Sequence, residues 1–421
     1  MLLGAIADDL TGATDLALSL KREGMRTIQV VGVPQTDFAF GDADAVVVAL
    51  KSRTIETHEA VAMSVASARV LLHAGAEQLF FKYCSTFDST PAGNIGPVTE
   101  ALLGLLDTDF TIVCPAFPTN GRTVYRGHLF VGPSLLSESS MRDHPLTPMT
   151  DANLVRVLQV QTTAKVGLVG YEDVDSGHDR IEQAFASARR DGMRMVIVDA
   201  VTNRHLRAIG QAAAGLKLVT GGSGVAIGLP ENFRRAGKLA AAESRRFEVP
   251  AGSAVILAGS CSTATRRQID VAIQAGVPTF KIDPFDIEDG RTTVEGVCDW
   301  ATSAGGSAPP LVYSSTDPAE VQRAQAAFGR EQAGEMVEQL LAAVARLLHA
   351  RGFSRFLVAG GETSGAVVNG LGVEAMLIGP EIDPGVPWTS SVGLESPVAL
   401  ALKSGNFGAD DFFLKAWRLL P

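Results

Sequence analysis

Three strand-to-helix junctions in the first hundred residues concentrate side chains suited to an anionic, hydroxylated ligand. The first, Ile6-Ala7-Asp8-Asp9-Leu10-Thr11-Gly12-Ala13-Thr14-Asp15, sets two adjacent carboxylates where an apolar run gives way to a helical pattern. In an open parallel sheet this is the carboxyl end of a strand, where ligands gather. Asp8 and Asp9 can hold hydroxyl groups or a metal, and Thr11 and Gly12 offer backbone N–H groups at a helix start. A helix cap alone would need only one acid. The second junction, Leu50-Lys51-Ser52-Arg53-Thr54, carries an Arg whose fork matches a carboxylate, although a surface charge would read the same. The third is Phe80-Phe81-Lys82-Tyr83-Cys84-Ser85-Thr86-Phe87-Asp88-Ser89-Thr90, followed by Gly93-Asn94-Ile95-Gly96-Pro97. Lys82 interrupts an apolar run, where a charge is costly unless it meets a partner. A snorkelling Lys with an ordinary cap would give the same letters, but the density of Lys82, Asp88, Ser89, Thr90 and Asn94 favours a site. Cys84 has no His near it in sequence, so a buried, inert thiol is expected.

A second set of loops is rich in glycine and hydroxyl groups. Leu257-Ala258-Gly259-Ser260-Cys261-Ser262, Val358-Ala359-Gly360-Gly361-Glu362-Thr363-Ser364-Gly365 and Lys403-Ser404-Gly405-Asn406-Phe407-Gly408 each follow a predicted strand. Together they could form one backbone cradle for phosphates at helix N-termini, although tight turns alone also use glycine. No GxxxxGK[ST] or GxSxG occurs, which disfavours a P-loop and an α/β-hydrolase elbow. A dehydrogenase would need GxGxxG, and Gly222-Ser223-Gly224 lacks the third glycine. A two-lobed binding protein without catalysis would not need the second set of loops. The run Thr220-Gly221-Gly222-Ser223-Gly224 is expected to face the same site.

These loops need a frame, and the apolar pattern supplies one. Strand-length runs at Leu2–Ala7, Thr27–Gly32, Ala45–Leu50, Gln78–Cys84, Thr111–Ala116, Val166–Gly170 and Met195–Ala200 alternate with amphipathic segments such as Glu56–His73 and Ile181–Arg190. Between Pro230 and Gly252 the chain turns charged and strand-poor, with Arg234, Arg235, Lys238, Glu243, Arg245, Arg246 and Glu248. A second series follows at Ala254–Ala258, Thr279–Ile282, Leu311–Ser314, Arg355–Ala359, Ala375–Ile378 and Val398–Leu402, interrupted by one long helical pattern from Pro318 to Ala350. The fold class is α/β: two α/β domains, residues 1–235 and 250–421, with mostly parallel sheets facing a central crevice.

Composition narrows the partners. The 421 residues carry 46 acidic and 36 basic side chains, a formal charge of -10 that repels nucleic acid and anionic membrane. No stretch reaches the ~18 apolar residues of a membrane span, and no export signal is visible. The four cysteines form no CxxC and fit reduced thiols in a cytoplasmic protein. Long amphipathic helices such as Glu335–Leu348 are compatible with a homodimer.

Taken together, Ala7-Asp8-Asp9-Leu10-Thr11-Gly12, Lys82 with Asp88-Ser89-Thr90, and the three glycine loops resemble the four-carbon acid sugar kinases over nearly the whole chain. The wording Phe81 to Thr90, then Gly93-Asn94-Ile95-Gly96-Pro97-Val98-Thr99, is similar to the 3-oxo-tetronate branch. The D-threonate and D-erythronate branches read Lys-Ile-Asp-Ser-Thr-Leu-Arg-Gly there; this loop is longer and lacks that Arg. The resemblance implies an N-terminal acid-sugar domain and a C-terminal nucleotide domain. ATP would contact Ser260, Gly360, Gly361, Glu362, Thr363 and Gly405, while Asp8, Asp9, Arg53, Lys82, Asp88, Ser89 and Asn94 would face the sugar acid. The expected reaction is phosphoryl transfer from ATP to the C4 hydroxyl, with D-threonate or D-erythronate as alternative acceptors. Asp88 is favoured as base over Asp9, Lys82 neutralises charge, Arg53 holds the carboxylate, and Mg²⁺ accompanies the ATP. No dedicated metal motif is visible.

Overall fold

The computed structural model describes residues 1–144, 147–239, 247–304, 306, 308–314 and 318–420. By its internal contacts the chain divides into two units, Met1–Glu243 and Ser244–Pro421. Of the charged stretch expected near this division, Glu243, Arg245 and Arg246 lie outside the described residues.

The first unit opens with β1 (Leu3–Ala7), β2 (Thr27–Val31), β3 (Ala45–Ala49), β4 (Gln78–Lys82) and β5 (Thr111–Cys114). A small antiparallel sheet follows, β6 (Arg122–Tyr125), β7 (His128–Val131) and β8 (Ser134–Leu135), and then β9 (Lys165–Val169), β10 (Met193–Val198) and β11 (Leu218–Gly221). The large sheet runs β2-β3-β1-β4-β11-β5-β10-β9, with every pairing parallel. All five residues of β1, and all five of β3, are buried, as expected of parallel strands covered on both faces. After β1 the chain goes to β2 and β3 on one side, then crosses to β4 on the other, so β1 marks the topological switch point where α/β sheets bind ligands. Register fixes the height of the site: Ala7 pairs with both Ala49 and Lys82, so the residues leaving β1, β3 and β4 emerge level.

The second unit contains β12 (Ser253–Ala258), β13 (Thr279–Lys281), β14 (Leu311–Tyr313), β15 (Phe353–Ala359), β16 (Ala375–Asp383), β17 (Val386–Val392) and β18 (Ala399–Lys403). Their order is β13-β14-β12-β15-β18-β17-β16. The first five are parallel, whereas β17 is antiparallel to both its neighbours. Ile256, Leu357, Trp388, Ala401 and Phe412 belong to the unit's core, and the buried indole of Trp388 donates to the Ala416 carbonyl at 3.0 Å. The single helical pattern expected from Pro318 to Ala350 is instead two helices, Pro318–Phe328 and Arg330–Ala350. They break at Gly329, whose φ of 85° lies in the left-handed region. In the second helix Leu341, Val344, Ala345 and Leu348 are buried; the helix packs on Val294–Ser303 and Gly361–Gly370 of the same unit. No helix among the described residues is long and apolar enough to cross a membrane.

Candidate functional site

At the level ends of β3, β1 and β4, three carboxylates meet two cations. Arg53 donates from Nε and Nη2 to the two oxygens of Asp8 at 2.8 and 2.9 Å, the bidentate geometry that gives the strongest pairs. Nη2 also lies 2.8 Å from Asp9 Oδ1, Nη1 lies 3.6 Å from Asp88 Oδ2, and Lys82 Nζ lies 3.6 Å from Asp9 Oδ1. The Arg53 fork expected to grip a substrate carboxylate is therefore engaged by Asp8, which leaves the Nη1 edge toward Asp88 for a ligand. Burial pushes the Asp8 carboxyl up, with Arg53 opposing it. Burial would also raise Asp9, but Lys82 and Arg53 together hold it below the usual carboxylate range. Lys82, 5% exposed, is disfavoured as a cation by burial, yet Asp9 and Asp8 raise it above its ordinary value, so it stays charged.

Two local features fit this cluster together. Gly12 lies in the first turn of the helix Leu10–Arg22, where any Cβ would overlap the Lys82 ammonium and the Asp9 carboxylate. Gly12→Ala should lower the melting temperature, since displacing the buried ion pair costs more than the helix propensity of Ala returns. Turnover should fall by about 100-fold, because the displaced groups lose their alignment; thermal melts beside steady-state rates check both. The second feature is the turn at Phe87 and Asp88, with φ of 65° and 34°, where a non-glycine backbone is strained. The strain is held by its surroundings: Phe87 is buried at the end of an edge-on series Phe81, Tyr83, Phe87, and the Thr86 hydroxyl donates to Asp88 Oδ1 at 2.7 Å.

Asn94 and Ser89 are fixed by the protein itself. The Asn94 amide donates to the carbonyls of Ser52 and Ile55 at 2.9 and 3.0 Å, and its oxygen accepts from the Thr57 hydroxyl at 2.9 Å. Its polar groups thus bolt down the segment carrying Arg53. The hydroxyl of Ser89 accepts from Gln161 Nε2 at 2.8 Å, which also donates to the Thr90 carbonyl at 2.7 Å. Gln161 Oε1 in turn accepts from the backbone N–H of Gly96 at 3.0 Å, at the start of helix Ile95–Leu105, where Asn94 provides no side-chain cap. Gly93 and Gly96 leave room for this side chain and its backbone. Gln161 is a residue the sequence reading did not select. Gln161→Leu should raise the KM of the unit's small-molecule substrate by about tenfold through loss of positioning, with the KM of the second substrate unchanged; separate saturation curves check it.

Three further placements follow. Burial pushes the Cys84 thiol up to about 11, which makes it a poor nucleophile. Asp15, in the same helix as Gly12, joins the electrostatic neighbourhood: burial raises its carboxyl and Lys82 opposes the rise. The glycines of Thr220 to Gly224 are accounted for by packing, since a Cβ on Gly221, Gly222 or Gly224 would strike the carbonyls of Cys114, Pro115 or Ala116.

In the second unit, the three glycine loops leave the carboxyl ends of β12, β15 and β18, which are adjacent and parallel. They close on one another. A Cβ on Gly259 or Gly360 would crowd Thr363, and one on Gly405 would overlap the Ser260 hydroxyl. Ser262 caps the helix Thr263–Gln274 by accepting from Thr265 N–H, and donates to the Gly405 carbonyl at 2.5 Å. Gly360 precedes the helix Gly361–Gly370 with φ of 130°, and open space surrounds Gly361. Two helix N-termini thus converge on the loops, an arrangement that attracts phosphate. Beside them lies a cavity of about 500 Å³. Gly259, Cys261, Glu362 and Thr363 line one part, and Ile282, Pro284, Val321, Ala324 and Val337 line another. Its size and its mix of apolar wall and polar loop suit a nucleoside with its phosphates over the glycines.

Comparison with known proteins gives the same division. A family model described as a sugar-binding N-terminal domain matches residues 3–229, and one described as a nucleotide-binding C-terminal domain matches 255–413. A 3-oxo-tetronate kinase of Cupriavidus necator is 56% identical, covering 100% of this chain and 97% of its own. The 3-oxo-tetronate kinase of Pseudomonas savastanoi pv. phaseolicola is 54% identical, again over 100% and 97%. A crystal structure of a Salmonella typhimurium LT2 protein, 42% identical, superposes with a TM-score of 0.91 over 100% of this chain and 99% of that one.

Proposed function

Since the chain belongs to the four-carbon acid sugar kinase family, we propose that it moves the γ-phosphoryl of ATP to the C4 hydroxyl of 3-oxo-tetronate, giving 3-oxo-tetronate 4-phosphate and ADP. The observation that carries this reading is full-length identity above one half to proteins named for that activity, on a chain whose first unit holds a cluster of three carboxylates and two cations and whose second unit holds a nucleotide-sized cradle.

Phosphoryl transfer asks mainly for positioning and charge stabilisation. In this mechanism Lys82 faces the negative charge that builds on the transferred group, and Asp9 keeps its ammonium in place. Asp8 holds Arg53 rigid, so that the Nη1 edge meets the substrate carboxylate. Asp88 accepts the C4 hydroxyl proton. It is the better base of the two rivals, because its one cationic contact among the described residues is 3.6 Å long whereas Asp9 touches Arg53 at 2.8 Å and also faces Lys82. Ser89 lines the substrate side, and Asn94 and Gln161 hold the two loops. Ser260, Gly360, Gly361, Glu362, Thr363 and Gly405 receive the ATP.

Among the described residues no cluster of three or more His, Cys, Asp or Glu side chains could hold a metal on its own. Mg²⁺ would arrive with the ATP, Glu362 would be the carboxylate on the glycine loop nearest to it, and the ion would supply charge that offsets the phosphates. Free thiols at Cys84, Cys114, Cys261 and Cys298 support a cytoplasmic location.

Product analysis tests the reading. The acid should gain one phosphoryl group, and the phosphorus nucleus should couple to the C4 protons; coupling at any other carbon, or no phosphorylated acid, would refute it.

A further inference from the structure

Lys403, the last residue of β18, is completely buried behind the Gly405 loop. Its Nζ donates to Thr265 Oγ1 at 2.9 Å and to the carbonyls of Ser404 and Gly405 at 3.1 and 3.0 Å. Three acceptors use all three ammonium hydrogens, but none of them carries charge. Among the described residues no carboxylate pairs with it, and burial alone pushes the ammonium down to about 7. A buried cation without a counter-ion is expensive, and an apolar side chain would fill the same space at lower cost. The charge therefore suits an anion that the chain itself does not supply.

What the lysine grips indicates where that anion sits. The Gly405 carbonyl accepts from three donors, Ser262 Oγ at 2.5 Å, Thr265 Oγ1 at 2.9 Å and Lys403 Nζ at 3.0 Å. In a planar trans peptide the following N–H points opposite to the carbonyl oxygen. The N–H of Asn406 is thus turned away from the buried lysine, on an exposed residue of the loop that also touches Ser260.

We infer that Lys403 is a positioning residue for the nucleotide: by holding the Gly405 carbonyl inward it turns the Gly405–Asn406 peptide so that the amide N–H meets a phosphate oxygen, and that phosphate supplies the counter-charge Lys403 lacks. The inference rests on the reading that the second unit takes ATP. It also gives Lys403, Ser262 and Thr265 one shared task, the orientation of a single peptide.

Calorimetric titration of ATP, ADP and adenosine into the full-length wild-type protein, K403M and K403Q tests it. Adenosine carries no phosphate, so it separates a phosphate effect from a damaged pocket. K403M should bind ATP and ADP at least about tenfold more weakly, with adenosine affinity within about twofold of wild type and the acid-sugar KM unchanged. K403Q keeps a donor for the Gly405 carbonyl but no charge, and should fall between the two. ATP binding by K403M and K403Q equal to wild type would overturn the inference while leaving the nucleotide reading intact. Equal weakening of adenosine and ATP in both variants would mark a structural role and overturn it too. A wild-type protein that binds neither ATP nor adenosine would remove the nucleotide reading itself, and the inference with it.

Discussion

Replacing Lys82 by methionine should lower kcat by about 10²- to 10³-fold, the usual cost of removing one fixed group that stabilises transition-state charge. The fold should survive, because Met fills much of the same buried space at the end of β4 and Arg53 remains beside Asp9. ATP affinity, measured by calorimetry, should change far less than kcat, since the charge that Lys82 meets builds in the transition state. The pH behaviour gives an independent check. The folded pKa of Lys82 is raised, so its contribution to stability is complete below the ordinary lysine value and is lost only as pH rises through the raised one. Asp9 is held low, so its contribution is present above the ordinary carboxylate value and is lost as pH falls through the lowered one. In K82M the lysine loss at high pH should disappear, and the Asp9 loss at the acid end should become smaller and be complete at higher pH, because one of the cations holding the folded Asp9 down is gone while its unfolded value is unchanged. A K82M protein with wild-type kcat and only a raised acid-sugar KM would assign Lys82 to ground-state binding.

Asp88→Asn is the second large expected effect, a fall in kcat of about 10²- to 10⁴-fold as the proton acceptor is removed. The substitution isolates chemistry from structure for two reasons. Asn tolerates the left-handed backbone that Asp88 adopts at φ of 34°, so the strained turn can persist. Its Oδ1 can still accept from the Thr86 hydroxyl, which holds the loop at 2.7 Å in the native protein. Melting temperature and both KM values should therefore stay near wild type. Full turnover by D88N, together with an inactive D9N, would transfer the base role to Asp9.

The first-unit residues legible in the sequence were those that parallel-sheet logic exposes. Asp8, Asp9, Arg53 and Lys82 stand at or just beyond the ends of buried apolar runs, and the register of β1 against β3 and β4 brings such ends together. What the letters could not show was who would engage whom. The Arg53 fork is occupied by Asp8, and the amide of Asn94 is taken by loop carbonyls, because both are settled by distances between segments far apart in the chain. Gln161 was invisible for the same reason: it is a lone amide 65 residues from Gly96, and only the glycines that make room for it hinted at a partner. Lys403 was within a noted motif, yet its burial depends on the strand beneath it and on Thr265 beside it.

The elements show the same limits. Strands β6, β7, β8, β11 and β17 were not anticipated; the first four are two to four residues long, and β17, Val-Pro-Trp-Thr-Ser-Ser-Val, mixes a proline and three hydroxyl residues into its run. The helical period from Pro318 to Ala350 continues across Gly329, and only the backbone reversal there divides it.

The most direct test of the account is substrate-resolved turnover. Purified protein is mixed with ATP, Mg²⁺ and, separately, 3-oxo-tetronate, D-threonate, D-erythronate and L-threonate, and ADP release is followed by a coupled assay. Turnover should be selective for 3-oxo-tetronate. Preferred turnover of another of the four acids, or silence with all four while ATP still binds, would contradict it.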